Sequence, residues 1–226
     1  MLRAYGVTDK GRVRPTNEDC FAVDESRRLL VVADGMGGHN AGEVAARIAV
    51  EAVTEFVAAS PEPSVEHPAG DILRTAIHFA HLQVVEAART SGEYHGMGTT
   101  IVAALVSGDR LTVGHVGDSR LYLATGAGLR QLTLDDSWMN ALTNVVGARW
   151  GTTVHIAEEA LAGGELLLLS TDGVHGVLDD RRLSRLLKSE SPDASLEEVA
   201  NDVVRAALHW GSPDNCTAIV ARYTAA

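Results

Sequence analysis

Residues 29–39 read LLVVADGMGGH, and this stretch indicates how the chain folds. Leu29 to Val32 are consecutive apolar residues, two of them β-branched, which is typical of a buried strand. The strand runs into Asp34, and the glycines that follow let a ligand approach the backbone closely. A carboxylate held at the end of a rigid strand suits a hard cation. An ordinary Asp-Gly turn is the alternative interpretation of the same residues.

Composition limits the class of protein. The chain has 226 residues, of which 46% are hydrophobic and 22% charged, so a substantial core is possible and wholesale disorder is excluded. This length favours a single domain over residues 1–226. The net charge of −11 argues against unaided binding to nucleic acid or an anionic membrane. The N-terminus has no apolar signal region, and no apolar run approaches a membrane span, so we expect a soluble cytoplasmic protein.

Helical and strand patterns alternate along the rest of the chain. Helical periodicity covers Ala41 to Ala59, Ile72 to Ala88 and Leu196 to Leu208. Short apolar strands with tight turns between residues 101 and 132 indicate an antiparallel meander rather than βαβ repeats. Residues 135–142 are predicted to cap and form a short helix.

Acidic residues recur beside the predicted strands. Gathered in one place, their carboxylates would repel one another strongly unless a cation neutralised them, which predicts divalent metals. All-oxygen ligands favour Mg²⁺ or Mn²⁺ over Zn²⁺. Two such metals would hold a bridging water, lower its pKa and make it a nucleophile for in-line attack at phosphorus. The acidic residues are Asp34, Asp118, Asp172 and Asp214, with Glu18 and Asp19 as a further pair.

A polar loop from Asp9 to Asp19 precedes these strands. It mixes basic and acidic side chains, and a solvated turn explains it adequately. The alternative is that Arg14 supplies a guanidinium fork suited to phosphate, while the acidic end of the loop lies near the metals.

Six short motifs occur in order along the chain and resemble those of the metal-dependent (PPM, type 2C) Ser/Thr protein phosphatases. The Met-Gly-Gly-His form is similar to that of the bacterial branch. Each motif alone has low specificity, whereas the ordered set spans nearly the whole chain. The motifs are Arg14-Pro15-Thr16-Asn17-Glu18-Asp19, Asp34-Gly35-Met36-Gly37-Gly38-His39, Gly98-Thr99-Thr100, Gly117-Asp118-Ser119-Arg120, Asp172-Gly173 and Asp214-Asn215.

The resemblance implies an α+β fold, a four-layer α-β-β-α sandwich in which two antiparallel sheets pack face to face with helix pairs outside. It implies hydrolysis of phosphoserine and phosphothreonine on proteins by a water activated between two Mn²⁺ or Mg²⁺ ions, with a third ion in bacterial members. The implied partners are phosphorylated proteins and a companion Ser/Thr kinase. A monomer is the default expectation.

The resemblance also assigns metal-binding roles. Asp34 would bridge the two central metals, with the Gly35 carbonyl on one of them. Asp172 and Asp214 would complete the other. Asp118 matches the residue that binds the third metal together with the Asp172 position.

Further roles follow for the surrounding residues. Glu18 and Asp19 would act through metal-bound waters, and Arg14 would hold the substrate phosphate. Hydroxyls and a guanidinium would tie down the metal-bearing turns; these belong to Thr99, Thr100, Ser119 and Arg120.

Two departures from the family pattern affect these roles. Animal relatives place the general acid, a histidine, directly after the Asp-Gly pair, where this chain has Met36. His39 or a metal-bound water is then the proton donor. Bacterial relatives usually carry a flap subdomain beside the active site, but here only Leu134 to Ala141 occupy that interval. The flap is therefore missing or shortened, which leaves substrate selectivity and occupancy of the third metal site open.

Two other functions stay open at this point. A non-catalytic or regulatory phosphoprotein-binding module would keep the fold, and its expected sign is the loss of metal-binding Asp residues, none of which is missing. A hydrolase of another phosphate ester or of a nucleotide is compatible with the same metal chemistry.

Overall fold

The computed structural model describes residues 1–37, 41–139, 141–188 and 195–225. Strands and helices alternate along it much as the hydrophobic pattern predicts. The strands are β1 (Leu2–Asp9), β2 (Asp19–Asp24), β3 (Leu29–Met36), β4 (Gly98–Thr99), β5 (Ile101–Ser107), β6 (Arg110–Val116), β7 (Arg120–Thr125), β8 (Gly128–Gln131), β9 (Ser137–Trp138), β10 (Ala141–Leu142), β11 (His155–Ala160), β12 (Leu166–Ser170) and β13 (Cys216–Tyr223). The helices are α1 (Ala41–Ala59), α2 (Ala69–Thr90), α3 (Asp172–His175), α4 (Asp180–Leu187) and α5 (Leu196–His209).

Two antiparallel sheets form the centre of the molecule. The first has the spatial order β1-β13-β12-β7-β8, and the second has the order β11-β6-β5-β3-β2, with β4 paired to the end of β3. Helices α1 and α2 pack on the second sheet, and α5 packs on β13 and β1 of the first. The strands β9 and β10 form a separate two-stranded ladder.

Alternation along the strands explains why the apolar runs are continuous. In β3, Leu29 and Val31 face the helices α1 and α2, while Leu30 and Val32 face the other sheet. In β12, Leu168 contacts the helical side, whereas its neighbours point into the space between the sheets. Because successive side chains point to opposite faces, a strand covered on both faces must be apolar throughout. Three apolar cores between four layers result, which confirms the predicted α-β-β-α sandwich.

Residues 101–132 do not form one continuous meander. They make two hairpins in different sheets, β5–β6 in the second and β7–β8 in the first. The chain changes sheet at Gly117, whose φ of 93° lies in the left-handed region that favours glycine. The prediction of antiparallel pairing is confirmed, whereas the prediction of a single meander is wrong.

The predicted helix over residues 135–142 is also wrong, because β9 and β10 occupy that interval. The side chain expected to cap the helix is used elsewhere. Asp136 Oδ2 accepts a hydrogen bond from Gly117 N at 3.1 Å, and Asp136 N donates to Gly117 O at 3.0 Å. Met139 has a φ of 49°, which a right-handed helix does not allow.

Among the helices of the described residues, none combines the length and the apolarity that crossing a bilayer requires.

The central core predicts a large difference between two chemically identical substitutions. Leu167 is fully buried between the sheets, so Leu167→Ala should lower the free energy of unfolding by about 2–5 kcal/mol. Leu134 is 81% exposed, so Leu134→Ala should change it by less than about 0.5 kcal/mol. Denaturant titration of both variants measures this, and equal effects would contradict the layered core.

Candidate active site

A cavity of about 490 Å³ opens at one end of the interface between the sheets. It collects residues from distant parts of the chain, including every predicted metal-binding residue. Asp19 is buried outside the cavity lining; after burial itself, its charge raises the pKa of the cavity residue Asp34. His39 falls outside the described residues. The cavity is lined by Arg14, Glu18, Asp34, Gly35, Met36, Gly37, Thr100, Asp118, Ala141, Leu142, Asp172, Asp214 and Asn215.

Backbone and hydroxyl hydrogen bonds fix the position of Asp34 at the end of β3. Asp34 N donates to Thr100 Oγ1 at 3.0 Å, and Asp34 O accepts from Thr99 Oγ1 at 2.8 Å. The Thr100 and Ser119 hydroxyl oxygens lie 2.7 Å apart, which links this strand to the turn that carries Asp118. The predicted structural role of these three hydroxyls is confirmed.

Arg120 ties down the same turn from its other side. Its guanidinium forms a bidentate ion pair with the Asp135 carboxylate, with Nε–Oδ1 at 3.0 Å and Nη2–Oδ2 at 2.7 Å. Its third nitrogen donates to the Tyr122 hydroxyl at 2.9 Å. Two parallel charge-assisted bonds restrict orientation as well as distance, so Arg120 is structural, as predicted.

The glycines after two of the acidic residues permit the chain to pack against itself. A Cβ at Gly35 would lie 2.1 Å from Gly42 O, and one at Gly173 would lie 1.8 Å from Asn215 O. No side chain fits at such separations. The sequence interpretation assigned the glycines after Asp34 to the approach of a ligand, whereas at Gly35 the close neighbour is the chain's own backbone.

Asp19 is buried and incompletely paired. It lies opposite Asp34 in the register of β2 and β3. Its Oδ2 accepts hydrogen bonds from Thr171 Oγ1 at 2.9 Å and Thr217 Oγ1 at 2.6 Å. Its Oδ1 has no hydrogen-bond partner in the described part of the chain. Burial raises the pKa of Asp19 to about 7, although the two threonine hydroxyls favour the charged form.

Burial also disfavours the charged form of three further carboxylates, those of Asp34, Asp118 and Asp172. Burial, followed by the charges of the neighbouring aspartates, holds the pKa of Asp34 well above its usual range. Burial and the charge of Asp172 raise the pKa of Asp118 to about 6. Burial and the charge of Asp214 raise the pKa of Asp172, whose Oδ1 is buried with no partner among the described residues. The cavity is therefore short of positive charge.

Arg14 supplies the one basic side chain among the residues that line the cavity as described. Its Nη2 lies 2.6 Å from Asp214 Oδ2, and its side chain is 51% exposed. Among the described residues, no three His, Cys, Asp or Glu side chains stand in an arrangement ready to hold a metal ion. Asp214 Oδ2 faces Arg14, and Oδ1 accepts from Asn215 N at 2.9 Å, so a metal at this carboxylate competes with both contacts.

Asn215 has a role that sequence reasoning missed. Its Nδ2 donates to Lys10 O at 2.8 Å and to Thr16 O at 2.9 Å, and its Oδ1 accepts from Glu18 N at 2.8 Å. One amide thereby holds both sides of the polar loop that carries Arg14. The signal was present in the Asp214-Asn215 motif, but the sequence does not show which loop the amide reaches.

Known proteins share sequence similarity with this chain over most of its length. The family model described as Protein phosphatase 2C matches residues 12–209. The serine/threonine protein phosphatase PstP of Mycobacterium tuberculosis is 33% identical over an alignment of 244 positions that covers 98% of this chain and 45% of PstP. The serine/threonine phosphatase stp of Listeria welshimeri is 32% identical, with 97% of this chain and 95% of that protein covered. This chain thus spans about half of PstP and nearly all of the Listeria protein.

A solved structure extends the likeness to three dimensions. The crystal structure of the catalytic domain of PstP in complex with two manganese ions has a TM-score of 0.87 to this chain at 29% identity. The match covers 98% of this chain and 97% of that one. The sandwich, the ordered motifs and these matches lead to one conclusion: the chain belongs to the protein phosphatase 2C family.

Proposed function

We propose that this chain acts as one metal-dependent phosphatase domain that hydrolyses phosphoserine and phosphothreonine on proteins. The observation that carries the proposal is the convergence of four aspartates in one cavity with Arg14 among them. Relatives that match nearly the whole chain are named serine/threonine phosphatases, which supports the same activity here.

The residues of the cavity fit divalent cations. Buried carboxylate oxygens of Asp19 and Asp172 have no partner among the described residues, and the pKa values of both groups are raised, which marks a site that lacks positive charge. The donors are all oxygens, which suits Mn²⁺ or Mg²⁺, and PstP binds manganese in its crystal structure. When bound, such ions neutralise the carboxylates and supply a water acidic enough to attack phosphorus at neutral pH.

We assign the ligands as the family resemblance implies. Asp34 and the Gly35 carbonyl, with Asp172 and Asp214, are proposed to hold two central ions. Asp118 is proposed to hold a third together with Asp172. Glu18 and Asp19 are proposed to act through hydrogen-bonded water around the ions.

Arg14 is proposed to bind the substrate phosphate. Its planar guanidinium can donate two parallel hydrogen bonds to phosphate oxygens. In the described structure the same group is paired with Asp214. If a bound cation drew Asp214 away from this pair, the Arg14 guanidinium would be free to donate to a phosphate in the cavity. Charge neutralisation and phosphate binding are therefore linked through one ion pair.

The leaving serine or threonine oxygen must gain a proton. Met36 lines the cavity and has no proton to donate. We propose His39 as the donor, with a water of the site as the alternative.

The biological setting is proposed by family resemblance. Substrates are phosphorylated proteins, and a companion Ser/Thr kinase supplies them. The enzyme is proposed to work as a monomer in the cytoplasm.

Metal-dependent activity is the first prediction. Purified protein should hydrolyse p-nitrophenyl phosphate with added Mn²⁺ or Mg²⁺ and lose that activity in EDTA. Asp34→Asn and Asp172→Asn should each lower kcat by at least about 100-fold, because each removes charge that holds the ions. Asp109→Asn, in the exposed turn between β5 and β6, is the matched control and should leave the rate unchanged. Wild-type rates in Asp34→Asn would refute the proposal.

Stability without metal should depend on pH through the same carboxylates. The pKa of Asp34 is raised in the folded state, so the folded protein binds this proton more tightly, and its contribution to stability is lost as pH rises through that pKa. Desolvation lowers the pKa of His175 to about 3, so His175 acts in the opposite direction below a pH of about 6.5. Comparison of wild type with Asp34→Asn isolates the Asp34 contribution.

In EDTA at a pH of about 8, Asp34→Asn should raise the thermal midpoint by about 2–4 °C, the shift that roughly 1 kcal/mol produces at this chain length. The difference should shrink as the pH falls toward about 5. Added Mn²⁺ should raise the wild-type midpoint more than that of the variant. Thermal melts followed by circular dichroism test this, and a lower midpoint for the variant in EDTA would contradict it.

The role of Arg14 predicts a defect in substrate binding. Arg14→Ala should raise KM for a phosphothreonine peptide by about tenfold with a smaller change in kcat. Arg12→Ala, an exposed arginine in the same loop, is the control and should leave both constants near wild type. An unchanged KM in Arg14→Ala would remove Arg14 from phosphate binding.

A further inference from the structure

The cavity has an apolar rim on one side. Ala141 and Leu142, which form β10, line it directly. Ala141 pairs with Trp138 of β9, so Trp138 lies one strand away from the cavity wall. We call residues 137–138 and 141–142 the rim ladder. It lies in the interval where the family resemblance predicts a missing or shortened flap.

The rim ladder is fixed at its base. Thr143 N donates to Asp136 O at 2.8 Å, which closes the ladder below its two paired positions. The Asp136 carboxylate accepts hydrogen bonds from Gly117 N at 3.1 Å and from Asn144 Nδ2 at 2.8 Å. Gly117 immediately precedes Asp118, so the ladder is attached to one of the turns that form the cavity. The rim ladder and the adjoining Met139, which together we call the platform, therefore have a defined position relative to the acidic residues.

Large apolar side chains are exposed on this platform. Trp138 is 70% exposed and Met139 is 85% exposed, while Met36 of the cavity is 40% exposed. The described residues of the platform, 137–139 and 141–142, include no charged side chain, in a chain with a net charge of −11. Exposed apolar groups that adjoin one another at a site mark a surface for interaction, and tryptophan is prominent among residues that dominate binding.

The position of the platform identifies what it contacts. A phosphorylated side chain that reaches the aspartates and Arg14 brings its own polypeptide across the rim of the cavity. Where that polypeptide leaves the cavity on the side of β10, the residues beside the phosphorylated one lie over β9 and β10. An uncharged, apolar surface favours apolar side chains at those positions because both surfaces lose water on contact.

We propose that the rim ladder is a docking surface for protein substrates, on which Trp138 packs against an apolar residue beside the phosphoserine or phosphothreonine. This proposal rests on the proposed phosphatase function and adds a preference among its substrates. Trp138 is a specificity-determining residue that contacts the substrate chain and not its phosphate.

Two substrates of different size separate this role from a structural one. p-Nitrophenyl phosphate occupies the cavity without a flanking chain, whereas a phosphothreonine peptide with phenylalanine on either side crosses the rim. A second peptide with glycine at both flanking positions removes the apolar contact. The enzyme variants are Trp138→Ala and, as a matched control, Trp210→Ala, since Trp210 lies at the end of α5 and packs on Arg182 with 4.0 Å between the guanidinium and the ring centre.

Trp138→Ala should lower kcat/KM for the phenylalanine peptide at least about fivefold, the loss expected for a well-packed interface tryptophan. It should leave p-nitrophenyl phosphate hydrolysis unchanged and reduce the preference for phenylalanine over glycine. Trp210→Ala should change none of these. An equal loss on both substrates would overturn the proposal, because Trp138 would then support the cavity itself. No loss on either substrate would overturn it as well.

Two more measurements separate the remaining outcomes. If wild type fails to hydrolyse p-nitrophenyl phosphate with Mn²⁺, the phosphatase function fails, yet calorimetric binding of the phenylalanine peptide that weakens in Trp138→Ala would still support the docking surface. Light scattering of both proteins tests a second copy of this chain as the occupant. A wild-type dimer that Trp138→Ala converts to a monomer would overturn substrate docking.

Discussion

Electrostatic repulsion among buried carboxylates is the constraint around which this structure is arranged. Asp34, Asp118 and Asp172 are partly or wholly removed from water, and their pKa values are raised first by burial and then by the charges of neighbouring aspartates. Like charges brought this close repel one another, so the aspartates do not hold the cluster together themselves. The apolar cores on both faces of each sheet supply the free energy that holds the strand ends together. The proposed binding site for cations is thus destabilised by charge repulsion until a cation binds.

The Arg14–Asp214 pair relieves part of this strain in the described structure. The same pair keeps both groups from the roles that the family resemblance implies. A site of this kind need not be assembled in advance, because the energy of cation binding can separate the pair. Because the Arg14 side chain is half-exposed, separating this ion pair in water costs little free energy.

The interval between β8 and β11 shows how a short segment can shape a site. Asp136 uses its backbone and its carboxylate to attach this segment to the Gly117 turn. Two strand residues then line the cavity, and a tryptophan beside them faces solvent. The chain therefore presents a small, rigid, apolar rim next to an acidic floor. Under the proposed function, cations and Arg14 make the acidic floor attractive to a phosphate, while the rim receives the polypeptide that carries it.

The sequence by itself determined the features that depend on local pattern. Continuous apolar runs such as Leu29 to Val32 predicted strands buried on both faces, and helical periodicity placed α1 within the bounds that the structure shows. The aspartates at the strand ends and the order of the motifs indicated the family and the cavity. These signals are local because the order of apolar and polar side chains in consecutive residues shows burial and periodicity.

Tertiary structure decided what depends on distant partners. Arg14 meets Asp214 across 200 residues of chain, and Asn215 reaches Thr16 across 199. Asp136, whose position suggested a helix cap, bonds to Gly117 and so forms a ladder instead. The change of sheet at Gly117 depends on which sheet offers the next strand a partner. No local pattern encodes such choices, because a hydrogen-bonding group takes the partner that the assembled layers bring to it.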